Sequence, residues 1–204
     1  MSSEHFNKEA KNWDNNPEKT DRAKIFAKEI VNFINPSKKM KALEFGCGTG
    51  LLSFQLKNYF KEITLVDTSE GMIQVLKEKV KQLKITNFKP YLIDVLEDSK
   101  CISKTDIIYS LMTLHHIKNI EKAVSIFYSL LNKEGFLCIA DLVKEDGTFH
   151  PESQNFIGHH GFNKIELTEL LYKNGFKTMH YTICYEIEKN DTKYPLFLLI
   201  AKKI

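Results

Sequence analysis

The chain has 204 residues, enough for one domain with a substantial core. Its hydrophobic share of 43% and charged share of 27% are those of an ordinary globular protein. The formal charge of +3, with Arg22 as the only arginine, argues against a nucleic-acid partner, because such binders cluster basic residues and use arginine forks on bases and phosphates.

Residues 1–16 are polar and lack the apolar stretch of a signal peptide. No apolar run approaches the roughly 20 residues of a membrane span. The expectation is a cytoplasmic protein without membrane contact, as a monomer or homodimer. Cys47, Cys101, Cys138 and Cys184 form no CxxC pair. They read as reduced, small core residues rather than metal or redox groups.

Phe6, Ala10 and Trp13 stand at helical spacing in the first segment, which is either a helix packed on the domain edge or a lid over a ligand. Pro17 breaks that pattern. Thr20 or Asp21 can cap a helix reaching about residue 35, with Ile25, Phe26, Ile30, Phe33 and Ile34 on its buried side, and Pro36 and Ser37 end it. Strands then alternate with helices: a strand over 40–45, a helix over 51–59, a strand over 62–67, and a helix over 69–83 that buries Met72, Ile73, Val75, Leu76 and Val80. Further strands fall at 88–94, 106–111 and 136–141, with a helix over 120–131 before the last. This order predicts a parallel sheet with helices on both faces and right-handed crossovers.

Residues 143–162 interrupt the rhythm with a His- and Gly-rich insert, and an irregular stretch of that length is usually functional or disordered. Asn163 and Glu166 make a capping box for a helix through Lys173, with Gly175 as its C-terminal glycine. Residues 177–188 and 194–202 read as an antiparallel hairpin. The chain divides into N-terminal helices or lid (1–35), ligand-binding core (36–141), substrate-side insert (142–162), and C-terminal helix and hairpin (163–204), all within one domain.

The organising stretch is KALEFGCGTG, residues 41–50, where a buried strand runs into Gly46, Gly48 and Gly50 and then into a helix. Open α/β sheets bind nucleotide-like ligands at such a place. A dinucleotide turn, GxGxxG, would need glycine where Leu51 stands. What is present is acidic-x-G-x-G-x-G, from Glu44 to Gly50. This resembles the first motif of the class I S-adenosylmethionine (SAM)-dependent methyltransferases. Asp67 closes the second strand and can accept both ribose hydroxyls of a nucleoside, a role compatible with capping the following helix. Met72, one turn on, either covers the adenine face or belongs to the core.

In methyltransferases that this chain resembles, the acid matching Asp94 lies beside the adenine amino group, with the next backbone amide, that of Val95, near a ring nitrogen. The alternative for Asp94 is a turn-forming role. Glu44 either ties down the glycine loop or helps to hold the methionine amino group. The resemblance places SAM against Glu44, Gly46, Cys47, Gly48, Gly50 and Asp67, and against Thr68, Met72, Asp94, Val95, Ser110 and His115. It implies a doubly wound, mostly parallel α/β sheet of seven strands, the last one antiparallel.

Strand four leads into SLMTLHHI, residues 110–117. The Asn/Asp-Pro-Pro-aromatic tetrad of methyltransferases acting on DNA bases is missing, and the LHHI segment resembles the small-molecule branch. The expected activity is therefore methyl transfer to a small-molecule acceptor at an O-, N- or C-nucleophile. His115 and His116 are the first candidates for a general base, His159 and His160 the second. At least two of His150, His159 and His160 are expected to line the acceptor pocket. No metal is expected, since His150 with His159 or His160 has no Cys or carboxylate at matching spacing. Two alternatives remain: a SAM-binding regulatory or partner protein without catalysis, and an NAD-linked oxidoreductase, which Leu51 and the lack of a Tyr-x-x-x-Lys pair oppose.

Overall fold

A computed structural model describes residues 3–150 and 156–204; the start of the N-terminal segment and residues 151–155 of the insert lie outside the described residues. Strands β1 (Lys41–Phe45), β2 (Glu62–Asp67), β3 (Phe88–Leu92), β4 (Thr105–Leu111), β5 (Leu131–Leu142), β6 (Phe176–Lys189) and β7 (Thr192–Lys203) form one seven-stranded sheet in the order β3-β2-β1-β4-β5-β7-β6. Strands β1 to β5 pair in parallel, whereas β7 is antiparallel to both β5 and β6. The doubly wound sheet with an antiparallel C-terminal hairpin is therefore present as expected.

Successive side chains of a strand point to opposite faces, and this sheet is apolar on both. Ala42, Ile63, Leu65, Ile107, Tyr109, Cys138 and Ala140 meet one helical layer, which holds Phe26 and Ile30 of α2 (Pro17–Ile34), Leu52 and Leu56 of α3 (Leu51–Leu56), and Ile73 and Leu76 of α4 (Glu70–Gln82). Leu43, Val66, Ile108, Leu137 and Ile139 meet the other, built on Val124 and Phe127 of α5 (Ile120–Leu130) and Leu167 and Leu171 of α6 (Lys164–Lys173). A strand buried on both faces reads as a continuous apolar run, which is why DIIYSL and FLCIAD stand out. The order reverses between β1 and β4, and their diverging crossovers leave a crevice beyond the strand tips.

Several expectations need correction. Pro17 ends the first pattern and also begins the next helix: it is the first residue of α2, and the cap is not Thr20 or Asp21, which lie inside the helix, but the Asn16 side chain, which accepts from the Glu18 amide at 2.9 Å. A proline there lacks only an N–H that would be unsatisfied anyway. The buried face of α2 is also rotated, because Ala23 and Ala27 pack beside Phe26 and Ile30, while Ile25 and Phe33 are 37% and 39% exposed. Val75 and Val80 are only partly buried. Strand β3 stops at Leu92, short of Asp94, and β5 starts at Leu131, where Leu131 pairs with Thr105 before a register shift.

Before α2 lie α1 (Ser3–Glu9) and a 3-10 turn over Ala10–Asn15. Among the described residues no helix is long and apolar enough to cross a membrane.

Candidate functional site

A cavity of about 640 Å³ opens beyond the tips of β1, β2 and β4. Its floor is the glycine loop. Gly46 has φ +65°, and a Cβ there would lie 2.1 Å from the Thr113 methyl carbon, so no other residue fits without displacing Thr113. Gly48 is also left-handed, at φ +52°, but a Cβ on it would meet nothing nearer than Met72 Sδ and Trp13 Nε1, both at 3.9 Å. That open flank faces the cavity. Gly50 serves packing instead: a Cβ there would meet Leu76 of α4 at 2.8 Å, and the residue lies outside the cavity lining.

Asp67, at the end of β2, stitches the loop in place. Its Oδ2 accepts from the Gly48 amide at 2.7 Å and its Oδ1 from the Ser69 amide at 2.8 Å. Burial raises its pKa above the usual carboxylate value, against the lowering effect of these amides. The cap of α4 is Ser69, whose Oγ accepts from the Met72 amide at 3.3 Å. Met72 is both core and site, being 1% exposed yet part of the cavity wall. Thr68, Asp94 and Val95 line the same wall, with Asp94 Oδ1 accepting from the Leu96 amide at 2.9 Å in a turn. Ser110 does not: its buried Oγ donates to the Phe45 carbonyl at 3.0 Å, a tie between β4 and β1.

Glu44 also lines the cavity. Its carboxylate accepts from both the amide and the hydroxyl of Ser53, and the Ser53 hydroxyl lies 2.6 Å from that of Tyr109. Burial pushes the Glu44 pKa up to about 8. A carboxylate with a raised folded-state pKa binds a proton more tightly folded than unfolded, so its contribution to stability is full below pH 4.5 and is lost as pH rises through 8. Urea titrations of wild type against Glu44→Gln should show the wild type losing on the order of 5 kcal/mol relative to the variant across that window. Parallel curves would mean that Glu44 is ionised in the folded protein. Cys47 beside it is buried, and burial together with the charges of Asp67 and Glu44 raises its thiol pKa well above normal.

The N-terminal segment lies across the loop. Asn7 Oδ1 accepts from Ser69 Oγ at 2.7 Å and from the Gly71 amide at 2.9 Å. Asp14 accepts from Thr49 Oγ1 and from Lys79 Nζ, each at 2.5 Å. Phe6 and Trp13 thereby become cavity walls, and Lys19 Nζ sits 3.2 Å from the centre of the Trp13 ring. Arg22 of α2 reaches the cavity too, and its buried Nε has no hydrogen-bond partner among the described residues. No local sequence pattern marks Asn7, Asp14 or Arg22; the singleness of the arginine was the one available signal.

The far end of the cavity is built of histidines. His115 and His116 sit in a 3-10 turn, Leu114–His116, just after β4. His115 is 1% exposed and its Nδ1 lies 2.6 Å from Oδ1 of the fully buried Asp141, whose other oxygen accepts the His115 amide at 3.2 Å. Met112 enters this turn at φ +56°, a strained conformation of the kind found at functional sites. Burial, and then the neighbouring His115 and His150, push the His116 pKa down to about 2, leaving a neutral ring. His150 joins the pair, its ring centroid 5.3 Å from that of His115 and 5.5 Å from that of His116.

His159 and His160 do not line the cavity. Segment 158–162 is held by backbone pairing, with the His159 amide on the His115 carbonyl at 2.7 Å and Val143 bridged to Phe162. This turns the His159 ring to the Lys118 carbonyl, 3.3 Å away, and His160 to Glu145, 3.3 Å away. Of the three insert histidines only His150 reaches the site, against the expected two.

A family model described as a methyltransferase domain matches residues 36–196. Similar proteins include an uncharacterized methyltransferase of Schizosaccharomyces pombe, 32% identical over 72% of this chain and 57% of its own length. Malonyl-[acyl-carrier protein] O-methyltransferase 1 of Ilyobacter polytropus is 29% identical over 84% of this chain and 65% of its own. The chain thus spans less than two thirds of the length of either relative. Among solved structures, a SAM-dependent methyltransferase from Aquifex aeolicus matches over 100% of both chains, with a TM-score of 0.72 and 17% identity. Phosphoethanolamine N-methyltransferase 2 of Haemonchus contortus, in complex with SAM, matches over 87% of this chain and 52% of its own, with a TM-score of 0.72 and 18% identity. With the glycine loop, the strand-tip acids and the sheet order already in place, these matches identify the chain as a member of the class I SAM-dependent methyltransferases, with SAM as its cofactor.

Proposed function

We propose that this chain transfers a methyl group from SAM to an oxygen nucleophile of a small, carboxylate-bearing acceptor. The observation that carries this reading is the continuity of the cavity: the glycine loop and strand-tip acids at one end share about 640 Å³ with the histidine end and Arg22, a size that suits small molecules. Oxygen is favoured because named relatives include malonyl-[acyl-carrier protein] and ubiquinone biosynthesis O-methyltransferases.

The residues fit the cofactor. Gly48 leaves its flank open, and each Asp67 oxygen has one amide donor, which leaves a lone pair on each for a ribose hydroxyl. When bound, SAM supplies an electrophilic methyl on a sulfonium, whose displacement demands orientation and exclusion of water more than acid–base help. Phe6 and Trp13 exclude water above the loop. Asp141 fixes His115 by its Nδ1 side and holds its ring beside His116 and His150. The acceptor is thereby oriented between Arg22 and the histidines.

A buried guanidinium Nε without a partner is costly unless an anion completes it. That anion is a carboxylate, either the acceptor's or the cofactor's own. Arg22→Ala separates them. In an assay that follows labelled methyl transfer to hydroxy- and phenolic acids, a rise in acceptor KM of about 10-fold or more with unchanged SAM affinity assigns Arg22 to the acceptor. A matching rise in the SAM dissociation constant assigns it to the cofactor. If a cell extract yields labelled protein or RNA but no labelled small molecule, the small-acceptor reading fails. A SAM-binding protein without catalysis would bind the cofactor and label nothing.

A further inference from the structure

Three imidazoles converge at one end of the cavity from two separate crossovers, His115 and His116 after β4 and His150 after β5. One ligand atom of each lies within 4.8 Å of the other two. The ring centroids of His115 and His116 are 4.0 Å apart, and His150 lies 5.3 and 5.5 Å from them. Mutual solvation does not explain such packing, because the His116 Nδ1 is buried without a hydrogen-bond partner among the described residues.

We propose that His115, His116 and His150 hold a divalent transition-metal ion of the zinc type, with its remaining coordination position open to the cavity. Three neutral imidazoles without thiolate or carboxylate suit zinc, iron or nickel better than the hard cations calcium and magnesium. Three protein ligands plus one open position is the arrangement of catalytic rather than structural zinc. At a Zn–N distance of about 2.0 Å, tetrahedral ligand atoms stand roughly 3.3 Å apart. The observed 4.8 Å limit therefore closes with side-chain shifts on the order of 1 Å.

The surroundings support the assignment. Asp141 stands behind His115, 2.6 Å from its Nδ1, the relation in which a carboxylate orients a ligating imidazole and raises its basicity. Phe156 stacks on His150 at 3.9 Å, and the Phe6 ring meets His116 edge-on at 5.4 Å, so aromatic rings flank two of the three imidazoles. The proposal rests on the methyl-transfer reading only for the use of the open position, where an acceptor oxygen completes the coordination. Binding of the ion is tested apart from that.

The full chain, free of any tag and stripped with a chelator, is titrated without SAM: with Zn²⁺ by calorimetry and with Co²⁺ by visible absorption. The expected result is one equivalent of Zn²⁺ at micromolar affinity or tighter, with the intense bands of four-coordinate Co²⁺. His116→Gln and His150→Gln should each weaken Zn²⁺ binding at least 10-fold, and Asp141→Asn about 10- to 100-fold, with thermal unfolding reporting that each variant is folded. No saturable binding up to millimolar Zn²⁺, or binding that survives both His variants, overturns the site. If the variants do not fold, the wild-type cobalt spectrum decides, and the weak bands of six-coordinate Co²⁺ overturn the proposal. Ion binding without methyl transfer would defeat only the proposed function, and methyl transfer without ion binding only the metal site.

Discussion

Replacing Asp67 by alanine is expected to weaken SAM binding at least 100-fold. The carboxylate accepts from Gly48 and Ser69 and still has a lone pair on each oxygen for the two ribose hydroxyls. Hydrogen bonds to a charged acceptor contribute about 1.5–3 kcal/mol each, and roughly 1.4 kcal/mol corresponds to a tenfold change in affinity. Losing two of them therefore removes on the order of 2–4 powers of ten. The substitution also frees the glycine loop, since Gly48 loses its only described tie to β2 through Asp67, so the measured loss should sit at the upper end. Calorimetric titration with SAM and S-adenosylhomocysteine reads the effect, with NAD as the control ligand. Affinities within threefold of wild type would mean that the ribose is held elsewhere and that Asp67 only braces the loop.

The second large effect concerns folding. Gly46→Ala places a methyl group 2.1 Å from the Thr113 side chain in a backbone conformation with φ +65°. The left-handed conformation costs roughly 1–2 kcal/mol for a residue with a Cβ, and overpacking adds about 1–3 kcal/mol. The expected loss in urea unfolding is about 2–5 kcal/mol, a large part of the stability of a domain this size. Thr113→Ala should recover only part of it in the double variant, because two of the three contacts go but the strained φ and the Cβ remain. Full additivity of the two single losses would show that Gly46 and Thr113 do not meet.

Local pattern carried the reading of the sheet and the cofactor end. The inner strands β1, β4, β5 and β7 are buried on both faces over most of their length, and the glycine loop with Asp67 is a neighbourhood of one strand, one turn and the next strand tip. The parts that escaped are those made by distant contacts. Ile25 and Phe33 match an amphipathic stripe as well as Ala23 and Ala27 do, yet it is the two alanines that are buried. His159 and His160 look as available as His150 in the sequence, yet backbone pairing of 158–162 with His115 and Val143 turns them outward. Arg22 and Asn7 lie in helices whose spacing says nothing of the site: Arg22 reaches the cavity from α2, and Asn7 ties α1 to Ser69 and Gly71.

The burial of Cys47 has a consequence for the chemistry of thiols. Oxidation and alkylation proceed through the thiolate, and the Cys47 sulfur, between Glu44 and Asp67, is held in its protonated form. Cys138 is likewise buried with a raised pKa, while Cys101 alone is exposed. Peroxide or iodoacetamide will therefore react first at Cys101, in the connection between β3 and β4. A sulfur buried in the glycine loop is in this way withheld from the sulfenic-to-sulfonic sequence of oxidation.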